Sequence, residues 1–87
     1  MKPQTEHLVR SEKQLGAALR RVRKQAGLTQ SALGSKVRLR QGTVSRLEAG
    51  EPGVQLHTLM AVLSALNLEL VVRLRTEDQD ADFEDLF

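Results

Sequence analysis

The hydrophobic residues of this chain change their spacing near residue 67, and this change limits what the chain can fold into. Up to Leu66 the apolar residues recur three or four positions apart, which is the spacing of amphipathic helices. Over residues 68–75 (LELVVRLR) apolar residues occupy every second position, which is the period of a strand. The sequence therefore predicts a mainly α fold of four to five helices, followed by one C-terminal strand.

Capping residues predict where the helices begin and end. Ser11 and Gln14 form a capping box before the first helix, and Gly27 is its natural stop. Thr29 caps a second helix, a third runs from about residue 41 to 49, and a fourth follows the turn at residues 51–53. Their apolar faces are predicted to form the core: Leu15, Ala18, Leu19, Val22, Ala26, Leu33, Val37, Val44, Leu47, Leu56, Leu59, Val62, Leu63 and Leu66.

A lone strand needs a hydrogen-bonding partner, and no other part of the chain has a strand pattern. The predicted partner is the same strand of a second copy, paired across a two-fold axis. A shared core also suits a chain of 87 residues without cysteine, which buries little surface alone and has no disulfide or thiolate zinc site. The alternative is a C-terminal extension of the fourth helix. The predicted dimer strand presents Leu68, Leu70, Val72 and Leu74.

Charge is divided unevenly along the chain. Thirteen Lys and Arg against eleven Asp and Glu give a net charge of +2. Six of the acids and none of the bases lie in residues 76–87, so residues 1–75 carry thirteen bases and five acids, a balance of +8. This asymmetry indicates a polyanionic partner, although a solvated charged face is the alternative. The predicted organisation is a loose arm (1–10), a helical domain (11–66), a dimerisation strand (67–75) and an acidic disordered tail (76–87).

The second and third helices, joined by a tight turn, have the organisation of a helix-turn-helix, whose second helix enters the DNA major groove. The amide of Gln41 can pair bidentately with adenine, and Arg40 or Arg46 can pair with guanine. Gln30, at the start of the second helix, and the hydroxyls of Thr43 and Ser45 can contact phosphate. The cations Lys36 and Arg38 flank the groove and can contact the phosphate backbone. Taken singly, each of these residues could equally be a solvated helix residue. The predicted DNA-binding set is Gln30, Lys36, Arg38, Arg40, Gln41, Thr43, Ser45 and Arg46.

No pattern in the sequence predicts an enzyme, a cofactor or a metal site. There is no phosphate-cradling glycine loop, catalytic triad or cysteine, and His7 and His57 are too isolated to bind a metal. The longest apolar run is far below the about 20 residues of a membrane span, and the N-terminus has no signal-peptide core. We expect a non-enzymatic, cytoplasmic and nucleoid-associated protein.

Residues 28–52 (LTQSALGSKVRLRQGTVSRLEAGEP) resemble the Xre/Cro-type helix-turn-helix family of bacterial and phage repressors. The TQ opening, the QxTVSRLE helix and the terminal AG are the most specific features, and the resemblance covers about residues 14–66. It implies a lambda-repressor-like fold with Gln30 at a phosphate or base and three base-facing residues. These are Arg40, Gln41 and Arg46. An ion pair between Arg23 and Glu48 is expected to be structural.

The chain departs from the family pattern at three positions. Arg38 stands where a turn glycine is usual, so a left-handed backbone there costs roughly 1 kcal/mol or more. Arg40 replaces the usual Ser or Thr cap, which gives up about 1 kcal/mol. Gly42 leaves one usual reading position without a side chain. The two arginines add cations beside the groove, so we interpret them as affinity gained at a cost in stability.

The helical core, single strand and polar tail together resemble a HipB-type antitoxin. This resemblance implies strand pairing across a dimer, autorepression of a toxin–antitoxin operon and neutralisation of a HipA-like kinase toxin. Phe83, Leu86 and Phe87 have the i, i+3, i+4 spacing of one helical face and stand among acids, so we predict that they bind the partner. The alternative for the tail is a solubilising segment that folds back on the basic helices. A stand-alone repressor without a toxin and a pure protein-interaction module are the alternative functions.

Overall fold

A computed structural model describes residues 6–75 of the chain. Within this range the protein is mainly α, with four helices and no strand. Residues 1–5 of the arm and the acidic tail (76–87) lie outside the described residues. The tail includes the predicted partner-binding residues Phe83, Leu86 and Phe87. The helices are α1 (Glu12–Gln25), α2 (Gln30–Val37), α3 (Gln41–Glu48) and α4 (Leu56–Ala65).

Helix α1 begins and ends at the predicted signals. The Ser11 hydroxyl accepts a hydrogen bond from the Gln14 backbone N–H at 3.1 Å. The Gln14 side chain accepts in turn from the backbone N–H of Arg10 at 2.6 Å, one residue earlier than in a standard capping box. At the other end Gly27 has a φ of 76°, and the following N–H bonds back to the Arg23 carbonyl at 3.1 Å. The predicted limits of the first helix are confirmed.

The turn between α2 and α3 contains two of the three departures from the family pattern, Arg38 and Arg40. Arg38 ends α2 with φ 60° and ψ 41°, a left-handed conformation that usually falls to glycine. The next N–H, of Leu39, bonds to the Gly34 carbonyl at 2.8 Å and closes the helix end. Arg40 then precedes α3 with an extended backbone and makes no side-chain capping bond. The left-handed backbone considered at Arg38 and the missing side-chain cap expected at Arg40 are both present.

Helix α4 stops before the alternating segment. Asn67 has a φ of 59°, and the N–H of Leu68 bonds to the Leu63 carbonyl at 2.7 Å. Asparagine is among the residues that tolerate this left-handed helix end. A C-terminal extension of the fourth helix over residues 68–75 is therefore wrong. The segment also pairs with no strand among residues 6–75, so pairing between two copies stays a prediction.

The core takes one fully buried side chain from each helix: Leu19, Leu33, Val44 and Val62. Leu47, Leu63 and Leu66 complete it. Two predicted core residues are exposed instead: Ala26, the residue that caps α1, and Leu56, the first residue of α4, which is 68% exposed. Both residues fit the apolar spacing of their helices. They lie at the helix ends, however, and remain exposed there. The remaining predicted core residues are buried or half-buried.

Two glycines allow α1 to pack closely on the C-terminal end of α3. A Cβ atom at Gly16 would overlap the carbonyl oxygens of Leu47 and Glu48. Gly50 has a φ of 78°, and a Cβ there would overlap the backbone of Lys13. The spacing between α1 and α3 therefore depends on the absence of two side chains. This contact fixes the position of α3, the helix expected to meet DNA.

Candidate nucleic-acid interface

A buried ion pair joins α1 to the end of α3. Arg23 Nε donates to Glu48 Oε2 at 2.6 Å, and Arg23 Nη2 donates to Glu48 Oε1 at 3.0 Å. The third arginine nitrogen, Nη1, donates to the Leu28 carbonyl at 2.7 Å. Only 6% of Arg23 and 9% of Glu48 is exposed. The structural ion pair expected from the sequence is confirmed.

Hydrogen bonding keeps both members of this pair charged. Burial by itself would raise the pKa of Glu48, but hydrogen bonds from Arg23 and Gln30 outweigh it and hold that pKa below its ordinary value. The hydrogen bond with Glu48 raises the pKa of Arg23 against the opposing effect of burial. Among the described residues, no buried side-chain nitrogen or oxygen lacks a hydrogen-bond partner. The pair is therefore fully satisfied, as a buried ion pair must be to persist.

A chain of hydrogen bonds leads from this pair to the first residue of α3. Gln30 Nε2 donates to Glu48 Oε1 at 3.1 Å. Gln41 Nε2 donates to Gln30 Oε1 at 3.4 Å, and the Ser31 hydroxyl donates to Gln41 Oε1 at 3.3 Å. Both amide atoms of Gln41 are thus held, and its orientation is linked to the core. We call Glu48, Gln30, Gln41 and Ser31 the glutamine network.

The other predicted DNA-binding residues lie on α2, on α3 and in the turn between these two helices. Five are exposed: Lys36, Arg38, Arg40, Ser45 and Arg46. Thr43 is half-buried, and its hydroxyl lies 3.4 Å from Arg46 Nη2, one turn along α3. The structure therefore brings together Gln30 with Gln41 and Thr43 with Arg46. The remaining four residues share the helix-turn-helix but form no hydrogen bond with one another.

Sequence reasoning missed two parts of this region. Ser31 follows Gln30 in the first turn of α2, and only the fold shows that its hydroxyl meets Gln41. The loop after α3 also borders the interface: with Thr43 and Arg46 it lines a cavity of about 310 Å³. The loop and α4 residues of this cavity are Glu51, Pro52, Gly53, Val54, Gln55 and Thr58. Neither contact leaves a spacing signal in the sequence.

The helix-turn-helix surface has an excess of positive charge. Residues 30–48 contain four bases and one acid, and that acid, Glu48, is already paired with Arg23 of α1. None of the four bases forms an ion pair within the described part of the chain. We call these four residues the cationic surface: Lys36, Arg38, Arg40 and Arg46. Such a surface attracts a polyanion.

Other kinds of site find less support among residues 6–75. No three His, Cys, Asp or Glu side chains in that range are grouped to hold a metal ion. No helix there is long and apolar enough to cross a bilayer. A second open cavity, of about 390 Å³, lies between α4 and the segment that follows it, lined mainly by Met60, Leu63, Leu68 and Leu70. Ser64, Asn67 and Glu69 complete its lining, which is therefore mixed in polarity.

The two-helix unit, with its oriented glutamine and cationic surface, defines a helix-turn-helix protein. The family described as a helix-turn-helix domain matches residues 14–76. The antitoxin HipB of two Escherichia coli strains, O6:H1 (CFT073) and K12, is 36% identical to this chain over 62 residues. The matched segment covers 71% of this chain and 66% and 70% of those two relatives, respectively. The chain belongs to the HipB-like, Xre-type family of helix-turn-helix proteins.

Solved structures of HipB have a similar fold. A chain in a complex of HipB with an O4 20-mer is 32% identical to this chain. The two chains superpose with a TM-score of 0.72 over 78% of this chain and 96% of the solved chain. A complex of HipA, HipB, O2 and O3 includes a chain that is 32% identical, with a TM-score of 0.73 over 83% of this chain and all of that one. The structural similarity therefore covers 96% or more of each of these two matched chains.

Proposed function

We propose that this protein is a sequence-specific DNA-binding antitoxin. It acts as a homodimer, represses its own toxin–antitoxin operon and neutralises a HipA-like kinase toxin. The observation that carries the proposal is the orientation of Gln41, an exposed residue at the start of α3 whose two amide atoms are held by Gln30 and Ser31. An ordinary solvated glutamine needs no such support.

Gln41 can read a base without leaving the glutamine network. Pairing with adenine requires Oε1 to accept from N6 and Nε2 to donate to N7. An amide oxygen has two lone pairs and an amide nitrogen has two hydrogens. One of each is used by Ser31 and Gln30, at 3.3 and 3.4 Å, and the other remains for the base. The protein therefore presents the amide already in one orientation, which favours adenine over the other bases.

The remaining residues of the predicted set are assigned by position. Arg40, which immediately precedes α3, and Arg46 on α3 are exposed and can pair with guanine in the major groove. Lys36 and Arg38 lie at the end of α2 and in the turn, where cations contact the phosphate backbone. The hydroxyls of Thr43 and Ser45 complete the set as phosphate or base donors. Gln30 is half-buried and supports Gln41 in addition to any phosphate contact.

The segment after α4 supports the homodimer. Leu70, Val72 and Leu74 are 56%, 91% and 64% exposed, whereas Leu68 on the same alternation packs against the core. An apolar row of this kind, continuous with the core, is unusual on a monomer surface. Pairing with the same segment of a second copy would cover the row and satisfy its backbone N–H and C=O groups. The strand forms in the dimer on this proposal.

The antitoxin role is supported by the relatives. HipB proteins are antitoxins, and HipB has been solved in a complex with HipA. The residues of this chain proposed to contact the toxin are Phe83, Leu86 and Phe87, apolar positions within an otherwise acidic tail. Apolar anchors in a polar segment suit a tail that orders on a partner.

The test is a pull-down from native lysate with the full-length protein as bait. Co-purification of one stoichiometric kinase would support the antitoxin proposal. A matched full-length variant, Phe83→Ser with Leu86→Ser and Phe87→Ser, should lose the kinase and keep DNA binding. If neither bait retains a partner while DNA binding persists, the protein is a stand-alone repressor. Absence of any salt-dependent DNA binding would indicate a protein-interaction module instead.

A further inference from the structure

None of the four bases of the cationic surface forms an ion pair with a described residue, although Glu51 lines a cavity together with Arg46. Its four bases belong to a stretch, residues 30–48, whose single acid is already paired with Arg23. Three of them, Lys36, Arg38 and Arg40, lie within five consecutive positions around the turn, and all three are exposed. Like charges packed this closely repel one another. Binding of any polyanion relieves this repulsion and is therefore electrostatically favourable.

The same chain contains a polyanion attached directly to this domain. Residues 76–87 hold six acids and no base, and they continue directly from the described segment. Twelve residues span at most about 40 Å when fully extended. The longest dimension of the molecule is 43 Å. The fully extended tail is therefore nearly as long as the longest dimension of the molecule.

We propose that the acidic tail, residues 76–87, binds the cationic surface of its own chain and competes there with DNA. The inference rests on the proposed function, because it takes the cationic surface to be the DNA-binding one. Attachment through a short linker gives an effective concentration in the millimolar range. If the tail binds as weakly as non-specific DNA, with a Kd of about 10⁻⁴ M, it lowers the apparent DNA affinity roughly tenfold.

This competition links toxin binding to DNA binding. The tail also holds the apolar residues proposed to bind the toxin, Phe83, Leu86 and Phe87. A toxin that holds the tail removes it from the cationic surface, so DNA binds more tightly to the complex than to the antitoxin alone. Because coupling between two ligands is reciprocal, DNA in turn strengthens toxin binding by the same factor.

The first experiment locates the tail by NMR. The full-length protein is compared with a full-length variant whose tail acids are made neutral: Glu77→Gln, Asp78→Asn, Asp80→Asn, Asp82→Asn, Glu84→Gln and Asp85→Asn. Tail binding predicts ¹⁵N–¹H shift changes concentrated at residues 36–46, which raised salt abolishes. Unchanged shifts at residues 36–46 overturn the proposal.

The second experiment measures competition by fluorescence anisotropy with a labelled 20-base-pair duplex of mixed sequence, at 50 and 200 mM salt. We expect the neutral-tail variant to bind roughly tenfold more tightly at 50 mM and the difference to shrink at 200 mM. A full-length Glu6→Gln/Glu69→Gln variant controls for net charge, since it removes two acids outside the tail. An equal gain per removed charge in the two variants overturns tail binding. If no version binds the duplex, the proposed function itself fails, and the two failures are therefore distinguishable.

Discussion

At the scale of single residues, Glu48 has two roles that share one carboxylate. It neutralises Arg23 in the interior and accepts the hydrogen bond from Gln30 that begins the glutamine network. The buried ion pair and the proposed DNA-recognition network therefore share one side chain. A substitution at Glu48 acts on both, and variants that separate the two effects test whether the network matters.

Replacing Glu48 with alanine should strongly destabilise the fold. Arg23 would remain buried with its charge uncompensated, which costs about 3–5 kcal/mol. The double variant Arg23→Met/Glu48→Leu should have a free energy of unfolding much closer to that of wild type. Apolar pairs often replace buried ion pairs without loss of stability. Urea denaturation measures both. The double variant should still lose DNA discrimination, because Gln30 no longer has its partner. Unchanged discrimination would show that the glutamine network does not orient Gln41.

The pH dependence of stability follows from the lowered pKa of Glu48. In the folded protein this pKa lies below its ordinary value of 4.5, so the folded state favours the charged form. The contribution is present above the unfolded pKa and is lost as pH falls through the folded pKa. The stability advantage of wild type over Glu48→Gln should therefore be constant at neutral pH and shrink below about pH 4.5. An advantage that grew on acidification would contradict the assignment.

Substitution of Arg38 should change fold stability and DNA affinity in opposite directions. Its φ of 60° is unfavourable for any residue with a Cβ, so Arg38→Gly should stabilise the fold by about 1 kcal/mol. The same change removes a cation from the cationic surface and should weaken binding to every DNA sequence alike. Thermal unfolding and anisotropy measure the two effects. Arg38→Lys, which keeps both the charge and the backbone strain, serves as control and should alter neither. Equal DNA affinity for Arg38→Gly would exclude a phosphate contact.

At the scale of secondary-structure elements, helix ends were predictable and close packing was not. Ser11, Thr29 and Gly27 act through bonds within a few residues, so their effect is visible in the sequence. Gly16 matters only because α3 lies against it, and Ser31 only because Gln41 does. Both are long-range contacts without a local pattern. For the same reason Leu56 matched the apolar spacing of α4 and is nevertheless exposed.

The segment after α4 gives a prediction for dimerisation. Successive residues of a strand point to opposite faces, so Val72 shares the face of Leu68 and Val71 does not. Val72→Lys places a charge on the apolar face and should lower the sedimentation mass toward that of a monomer. Val71→Lys is the matched control, since Val71 is also exposed but belongs to the other face, and it should leave the dimer intact. An unchanged mass for Val72→Lys would exclude the shared strand.

At the scale of the whole molecule, charge distribution matters more than net charge. A total of +2 suggests little, yet all thirteen bases lie before residue 76 and six acids follow it. This division was visible in the sequence alone. Three of the bases lie around a single turn and a fourth, Arg46, lies on α3; that all four belong to one two-helix unit also required the fold, because α2 and α3 had to pack against each other. Sequence therefore indicated a polyanion partner, and the structure shows the surface that would meet it.

Salt dependence tests that surface and separates phosphate contacts from base contacts. Binding should weaken by roughly 0.9 log units per phosphate contact for each tenfold rise in salt. A homodimer carries every substitution twice, so Lys36→Gln should lower this slope by roughly 1.8 and weaken all sequences alike. Gln41→Ala should instead keep the slope, cost about 1–3 kcal/mol per half-site and relax preference at one base pair. If Gln41→Ala lowered the slope and spared the preference, Gln41 would contact phosphate, and base reading would rest with Arg40 and Arg46.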